Sequence, residues 1–189
     1  MSSAPTGWLA SKPPERIEVE GLVLTRALPG DNVDLVEAVN DSLDHLSPWM
    51  PWAQERATEE SIGAFLAQAT SAWVAGTEFQ YLLRRDPSRL TIGCFGLHAR
   101  IGTGALEIGY WVRVGHLRQG VATTATRVLT AAALGITEVE RVEIRCDAAN
   151  TRSASVPSKL GYRLDRIEHR PPSAPGETDR HMIWVLDRL

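Results

Sequence analysis

The spacing of apolar positions changes repeatedly along the chain. From Arg16 to Arg26, RIEVEGLVLTR alternates apolar and polar residues about Gly21, the pattern of strand, turn, strand. Pro29-Gly30-Asp31 marks a turn, with Asp31 or Asn32 as a helix cap. Val33, Leu35, Val36, Val39, Leu43 and Leu46 form an apolar stripe, predicting a helix to about His45. Ser47-Pro48-Trp49-Met50-Pro51-Trp52 ends it, because two prolines hold the backbone extended. Thr58-Glu59-Glu60-Ser61 reads as a capped start. The helix after it runs to about Ala75, with Ile62, Phe65, Leu66, Ala69 and Trp73 on its inner side and Gly76 at its C-cap.

Strands are expected at 79–84 and 90–100 about a turn at 86–89, and a third at 105–112 after Gly102-Thr103-Gly104. A helix over 121–134 follows, then a strand at 141–147. Residues 151–160 read as a helix despite Pro157. Strands at 162–168 and 181–186 flank the long loop RPPSAPGET at 170–178. The order β-β-α-α-β-β-β-α-β-α-β-β predicts an α/β fold with a mixed sheet. Residues 1–15 read as a flexible tail with Trp8 as its candidate anchor, and 16–189 as a single domain.

Composition narrows the classes of function. The 189 residues are 43% hydrophobic and 23% charged, the profile of an ordinary globular protein. A net charge of −3 argues against a nucleic-acid partner. No apolar run is long enough to span a bilayer, and MSSAPTGW does not read as a signal peptide, so a cytoplasmic location is expected. Cys94 and Cys146 sit in strand-like segments and read as buried reduced thiols, and no metal set is expected.

The candidate chemistry centres on 107–127, EIGYWVRVGHLRQGVATTATR, a strand followed by a short loop with glycine and arginine and then a helix. Free N–H groups and the helix dipole make such a start an anion site. Gly120 lets the backbone approach a phosphate closely, and Arg118 can add charge. Arg118-Gln119-Gly120-Val121-Ala122-Thr123 after a Gly-Tyr-Trp-Val strand resembles the acyl-CoA pyrophosphate loop of the GNAT superfamily of N-acetyltransferases, and within it the RimJ/RimL branch. Asn150-Thr-Arg-Ser153 with Lys159-Leu160-Gly161-Tyr162 is similar to the family's Asn-x-x-Ser and Lys-Leu-Gly-Phe segments, and Glu107-Ile-Gly-Tyr-Trp to its fourth strand.

The resemblance spans residues 17 to 187 and implies a mixed, mostly antiparallel sheet of about seven strands, splayed between the family's strands four and five. It implies acetyl-CoA as cosubstrate, with backbone groups of Tyr110, Trp111 and Val112 facing pantetheine, Asn150 bonding that arm and Ser153 near the thioester sulfur. Read without the family, Asn150 is a helix N-cap and Gly161 a C′ residue. Glu107, the one carboxylate in its strand, is the candidate base through water. It either faces inward with a raised pKa or points to solvent. Pro157 stands where many relatives outside the branch carry an acidic Tyr, which leaves Ser153 as the candidate acid.

Trp49, Met50 and Trp52 read either as a buried plug or as the aromatic wall of an acceptor pocket. His98 joins them as a candidate substrate contact. Some ribosomal members of the branch place a Glu where this chain has about Pro172, so the donor side is better supported than a ribosomal acceptor. The expected acceptor is a primary amine, on a protein N-terminus or a small molecule. Alternatives are a succinyl-CoA donor held by Arg113 or Arg100, or a non-catalytic acyl-CoA-binding module. A homodimer is expected from the fold class.

Overall fold

The computed structural model describes residues 8–85 and 90–188. The turn expected at 86–89 and the first seven residues of the expected tail lie outside them. Eight strands and five helices follow in the order β1 (Arg16–Val19), β2 (Leu22–Arg26), α1 (Asn32–Asp41), α2 (Leu43–Leu46), α3 (Glu59–Ala75), β3 (Glu78–Arg85), β4 (Thr91–His98), β5 (Ala105–Val112), α4 (Val121–Leu134), β6 (Arg141–Asp147), α5 (Thr151–Lys159), β7 (Arg163–His169) and β8 (Arg180–Asp187). They form one sheet in the order β1-β2-β3-β4-β5-β6-β8-β7. The β1–β2 hairpin supplies its outer edge, which makes eight strands rather than about seven and makes the family's strands four and five β5 and β6.

Every neighbouring pair is antiparallel except β5 and β6. That parallel pairing covers only Ala105–Ile108 against Arg141–Ile144. Beyond it β5 continues to Val112 and β6 to Asp147, so the two strands part and leave a split through the sheet.

Each face of the sheet carries its own core. Phe79, Tyr81, Phe95, Leu97, Leu106 and Ile108 pack against Val121, Ala125, Leu129 and Ala133 of α4. On the opposite face Leu82, Cys94 and Trp111 meet Leu35, Ala38 and Val39 of α1 with Ile62 and Leu66 of α3. A one-residue slip of β3 would exchange Phe79 and Tyr81 with Glu78 and Gln80. Full burial of one such apolar side chain is worth about 1.5–3 kcal/mol, so the register is strongly set.

Two local features depart from the sequence reading. The first helix does not run unbroken to His45 but stops at Ser42, whose hydroxyl donates to the Ala38 carbonyl and accepts from the Val114 N–H. This back-bond draws the chain out of helical geometry and ties α1 to the end of β5. Residues 8–15, assigned from sequence to a flexible tail, are held against the body. Trp8 and Leu9 pack on the main core, and the Pro14 carbonyl accepts from the Tyr81 hydroxyl at 2.8 Å. The Glu15 carbonyl accepts from the Arg26 N–H.

Candidate active site

A cleft of about 1010 Å³ lies at the split between β5 and β6 and is lined by residues from both faces of the sheet. It gathers the expected Trp49, Met50, Trp52, His98, Glu107, Tyr110, Trp111, Asn150 and Ser153, which come from four strands or loops and α5. Val112 lies in the apolar core, with only its backbone at the split.

On the α1–α3 face the floor is polar because cross-strand neighbours share a side. Glu78, His98, Glu107 and Glu143 form one rung across β3, β4, β5 and β6. The next rung places Gln80 beside Gly96 and Gly96 beside Gly109. The two glycines leave room for the His98 ring: a Cβ at Gly96 would meet its Nε2 at 2.7 Å, and one at Gly109 at 3.2 Å.

Glu107 faces this floor and is buried, which decides the orientation left open above. Its titration departs from expectation. Burial pushes it up, but the Arg100 hydrogen bonds and charge, with His98 and Arg145, outweigh burial and hold the carboxyl below its ordinary value. Arg100 grips both oxygens, Nε to Oε2 at 3.1 Å and Nη2 to Oε1 at 2.6 Å. A raised base requires an unpaired carboxyl, and here a guanidinium fork holds the anion.

On the α4–α5 face, Asn150 caps α5 by accepting from the Ser153 N–H at 3.1 Å. Tyr110 reaches α5 from β5; its hydroxyl donates to the Ser153 carbonyl at 3.0 Å and lies 3.3 Å from the Ser153 hydroxyl. Cys146 lines the cleft nearby, and burial pushes its thiol up to about 11, so it is an inert thiol at neutral pH.

The expected phosphate loop lies outside the cleft, at the start of α4. Arg118 and Gly120 both have positive φ, 59° and 73°, which curls the backbone into the helix. The first intrahelical donor is Thr124, bonded to the Gly120 carbonyl at 3.0 Å, so the N–H groups of Val121, Ala122 and Thr123 precede the ladder. Gln119 donates to the Gly115 carbonyl and accepts from Arg85. A Cβ at Gly120 would meet nothing within 4 Å, leaving open space before these N–H groups.

The aromatic segment roofs the cleft. Trp52 is half exposed and stands 6.4 Å from the buried Trp111, while Met50 packs on the α1–α3 core and Trp49, Met50 and Trp52 all line the cleft. Loop 170–178 closes on it through the Gly176 N–H, which donates to the Pro48 carbonyl at 2.7 Å. Behind this clasp the Thr178 N–H and hydroxyl bond Asp147, and Ser173 and Ala174 bond Glu177. Glu177 therefore lines the cleft, although Pro172 stands at the position where a carboxylate was sought.

Sequence reading missed Glu78, Gln80, Arg145, Asp147 and His181, all on the cleft. A signal was present: polar or small residues recur at every second position in Glu78/Gln80, Cys94/Gly96/His98 and Glu143/Arg145/Asp147, opposite apolar neighbours. Arg113, a candidate for a second acyl carboxylate, is turned to α1 and bound by Asp41 and Glu37. His116 is in the short turn before α4 and does not line the cleft. Among the described residues no group of three or more His, Cys, Asp or Glu could hold a metal ion, and no helix is long and apolar enough to cross a membrane.

A sheet split beside a glycine-started helix, with one cleft reaching both faces, defines an acyltransferase of the GNAT type. The chain belongs to the GNAT acetyltransferase domain family, whose model matches residues 22–163. Among solved structures it is similar to RimL, a ribosomal L7/L12 alpha-N-protein acetyltransferase in complex with coenzyme A, at TM-score 0.84 and 19% identity over 92% of this chain and 98% of that one. It is also similar to the microcin C7 self-immunity acetyltransferase MccE in complex with acetyl-CoA and AMP, at TM-score 0.83 and 15% identity over 97% of each chain. Mycobacterium smegmatis RimJ in complex with a CoA disulfide follows at TM-score 0.79 and 19% identity, over 88% of this chain and 81% of that one. No curated protein sequence matches the chain.

Proposed function

We propose that the protein transfers an acetyl group from acetyl-CoA to a primary amine, by direct attack of the amine on the thioester. The observation that carries this reading is the cleft through the β5–β6 split, which joins Tyr110 and Ser153 on one face to His98 and Glu107 on the other. The N–H groups of Val121, Ala122 and Thr123, without a partner among the described residues, and the open space at Gly120 suit a pyrophosphate. The extended edge of Gly109–Val112 freed by the split suits a pantetheine amide chain. When bound, acetyl-CoA supplies the activated acyl group. Backbone N–H groups at the split polarise its carbonyl, and the Ser153 hydroxyl, held beside Tyr110, stands on the sulfur side.

The acceptor is proposed to be a protein α-amino group or a small-molecule amine, received under the Trp49–Trp52 wall. RimL is named for the first class and MccE for an immunity function. A succinyl donor is disfavoured, because Arg113 is turned away to Asp41 and Glu37 and the charge of Arg100 is already matched by Glu107. The reading goes with a homodimer in the cytoplasm, and light scattering checks the dimer by its mass in solution.

Calorimetric titration with acetyl-CoA, succinyl-CoA and coenzyme A is the direct test. Tight binding of acetyl-CoA, followed by thiol release with amine-bearing peptides or small amines, is the expected result. Binding without thiol release across the panel would indicate a binding module, and absence of binding would overturn the reading.

A further inference from the structure

His98 brings a ring nitrogen to the cleft beside the split. Its Nδ1 lies 3.1 Å from Oε1 of Glu78, its cross-strand neighbour on β3. Burial pushes the Glu78 carboxyl up, but hydrogen bonding to His98, the His98 charge, the Gln80 amide and Arg100 together hold it below its ordinary value. The Gln80 amide donates to the same Oε1 and steadies the carboxylate. A carboxylate oxygen only accepts, so Nδ1 carries a proton whether or not the ring is charged, and Nε2 is bare in the uncharged form.

That nitrogen is aimed at the site. Nε2 lies over the Gly96–Gly109 rung, next to the point where β5 parts from β6. Among the described residues no protein group hydrogen-bonds it, and the His98 side chain is only 13% exposed. Its charged surroundings are Glu78 on β3, Arg100 after β4, Glu107 on β5, and Glu143 and Arg145 on β6, with Glu55 and Arg56 on the roof of the same cleft. Glu107 is held as an anion in the Arg100 fork at both oxygens, whereas among the described residues no protein group bonds His98 Nε2.

From this geometry we infer that His98 is the general base of the acyl transfer and Glu78 the residue that positions it, an assignment resting on the transferase reading above. The acceptor ammonium gives one proton to Nε2, and its freed lone pair forms the N–C bond to the acyl carbon. The C–S bond then breaks with its electron pair on sulfur. The second proton lost by the nitrogen goes to that thiolate, yielding amide and free thiol, and the imidazolium returns its proton to water. Glu78 stabilises the transient imidazolium through the Nδ1–H bond.

Two measurements test the assignment. The first is long-range ¹H–¹⁵N correlation spectroscopy of the ¹⁵N-histidine-labelled full chain, with the His98 signals assigned by their loss in His98→Gln. A neutral ring protonated at Nδ1 is expected, with that preference lost in Glu78→Gln and kept in Glu78→Asp. An Nε2–H ring in the wild type would overturn the dyad. The second is thiol release from acetyl-CoA with a panel of free-N-terminus peptides and small amines. His98→Gln, or His98→Asn if it alone keeps the wild-type melting curve, is expected to lower kcat about 100-fold or more. The KM for acetyl-CoA should stay within about twofold, and the rise of kcat/KM through neutral pH should disappear. Retention of that pH limb in the variant would overturn His98 as base. Refusal of every amine by the wild type would instead overturn the transferase reading, while the spectra would still decide the dyad.

Discussion

Tyr110 completes the helix turn that Pro157 leaves open. Pro157 stands four residues after Ser153 in α5 and has no N–H to give the Ser153 carbonyl, and the Tyr110 hydroxyl donates there at 3.0 Å. The bond joins β5 to α5 across the split and fixes the Ser153 hydroxyl at the same point. Proline at 157 thus removes one helical bond and creates the demand that β5 meets.

Tyr110→Phe should keep the stacking on Phe95 at 5.6 Å and leave the Ser153 carbonyl unsatisfied, at a cost of about 1–3 kcal/mol. Pro157→Ala supplies an N–H to that carbonyl, so Tyr110→Phe should cost about 1 kcal/mol less in its background. Urea denaturation of the two single variants and the double variant measures this coupling. Strict additivity would mean that the tyrosine does not act through the carbonyl.

Gly120 separates backbone demand from charge. Its φ of 73° makes any other residue cost about 1–2 kcal/mol, although no atom blocks a Cβ. Gly120→Ala should lower stability by that amount and weaken acetyl-CoA modestly. Gly120→Glu adds a carboxylate before the free N–H groups and should weaken acetyl-CoA by about 100-fold or more, as two like charges are set together. Equal affinity of the two variants in calorimetry would remove this helix start as the phosphate site.

The roof can be opened without touching the donor side. A Cβ at Gly176 would come within 2.7 Å of the Pro48 oxygen and 2.8 Å of its Cβ, so Gly176→Ala must break the clasp. Acceptor KM should rise several-fold with acetyl-CoA affinity unchanged, and Trp49→Ala should shift the same constant. An unchanged acceptor KM in both variants would separate the roof from acceptor binding.

Glu107 sets an acid limit on stability. Its folded value lies below the ordinary 4.5, so its contribution is present above about pH 4.5 and is lost as pH falls through the folded value. Arg100 is 62% exposed, and solvent screening keeps the contribution modest. Melting temperature recorded from pH 6 downward should fall less steeply in Glu107→Gln than in the wild type. Some slope remains, because Glu78 and Glu177 are held low as well. Parallel curves would show that the Arg100 fork adds nothing to folding.

Much of the scaffold was legible in the chain because its punctuation is local. β5, α4 and β6 begin and end where Gly104, Gly120 and the alternation of RVEIRCD place them. Local rules fail where a distant partner decides. Ser42 interrupts the first helix through Val114, and Arg100 reverses the titration expected of Glu107 from a turn seven residues away. Leu106-Glu107-Ile108 alternates and sets Glu107 opposite the α4 core, but β5 is covered on both faces, so alternation alone does not tell a buried facing from a solvent one. Trp8 and Pro14 are held by groups far along the chain, which composition does not reveal.

The split between β5 and β6 also constrains how turnover is ordered in time. With donor and acceptor proposed on opposite faces of the cleft, neither reactant has to leave before the other arrives, and no acyl group has to be parked on the protein between them. Initial-rate lines at varied donor and acceptor should therefore intersect.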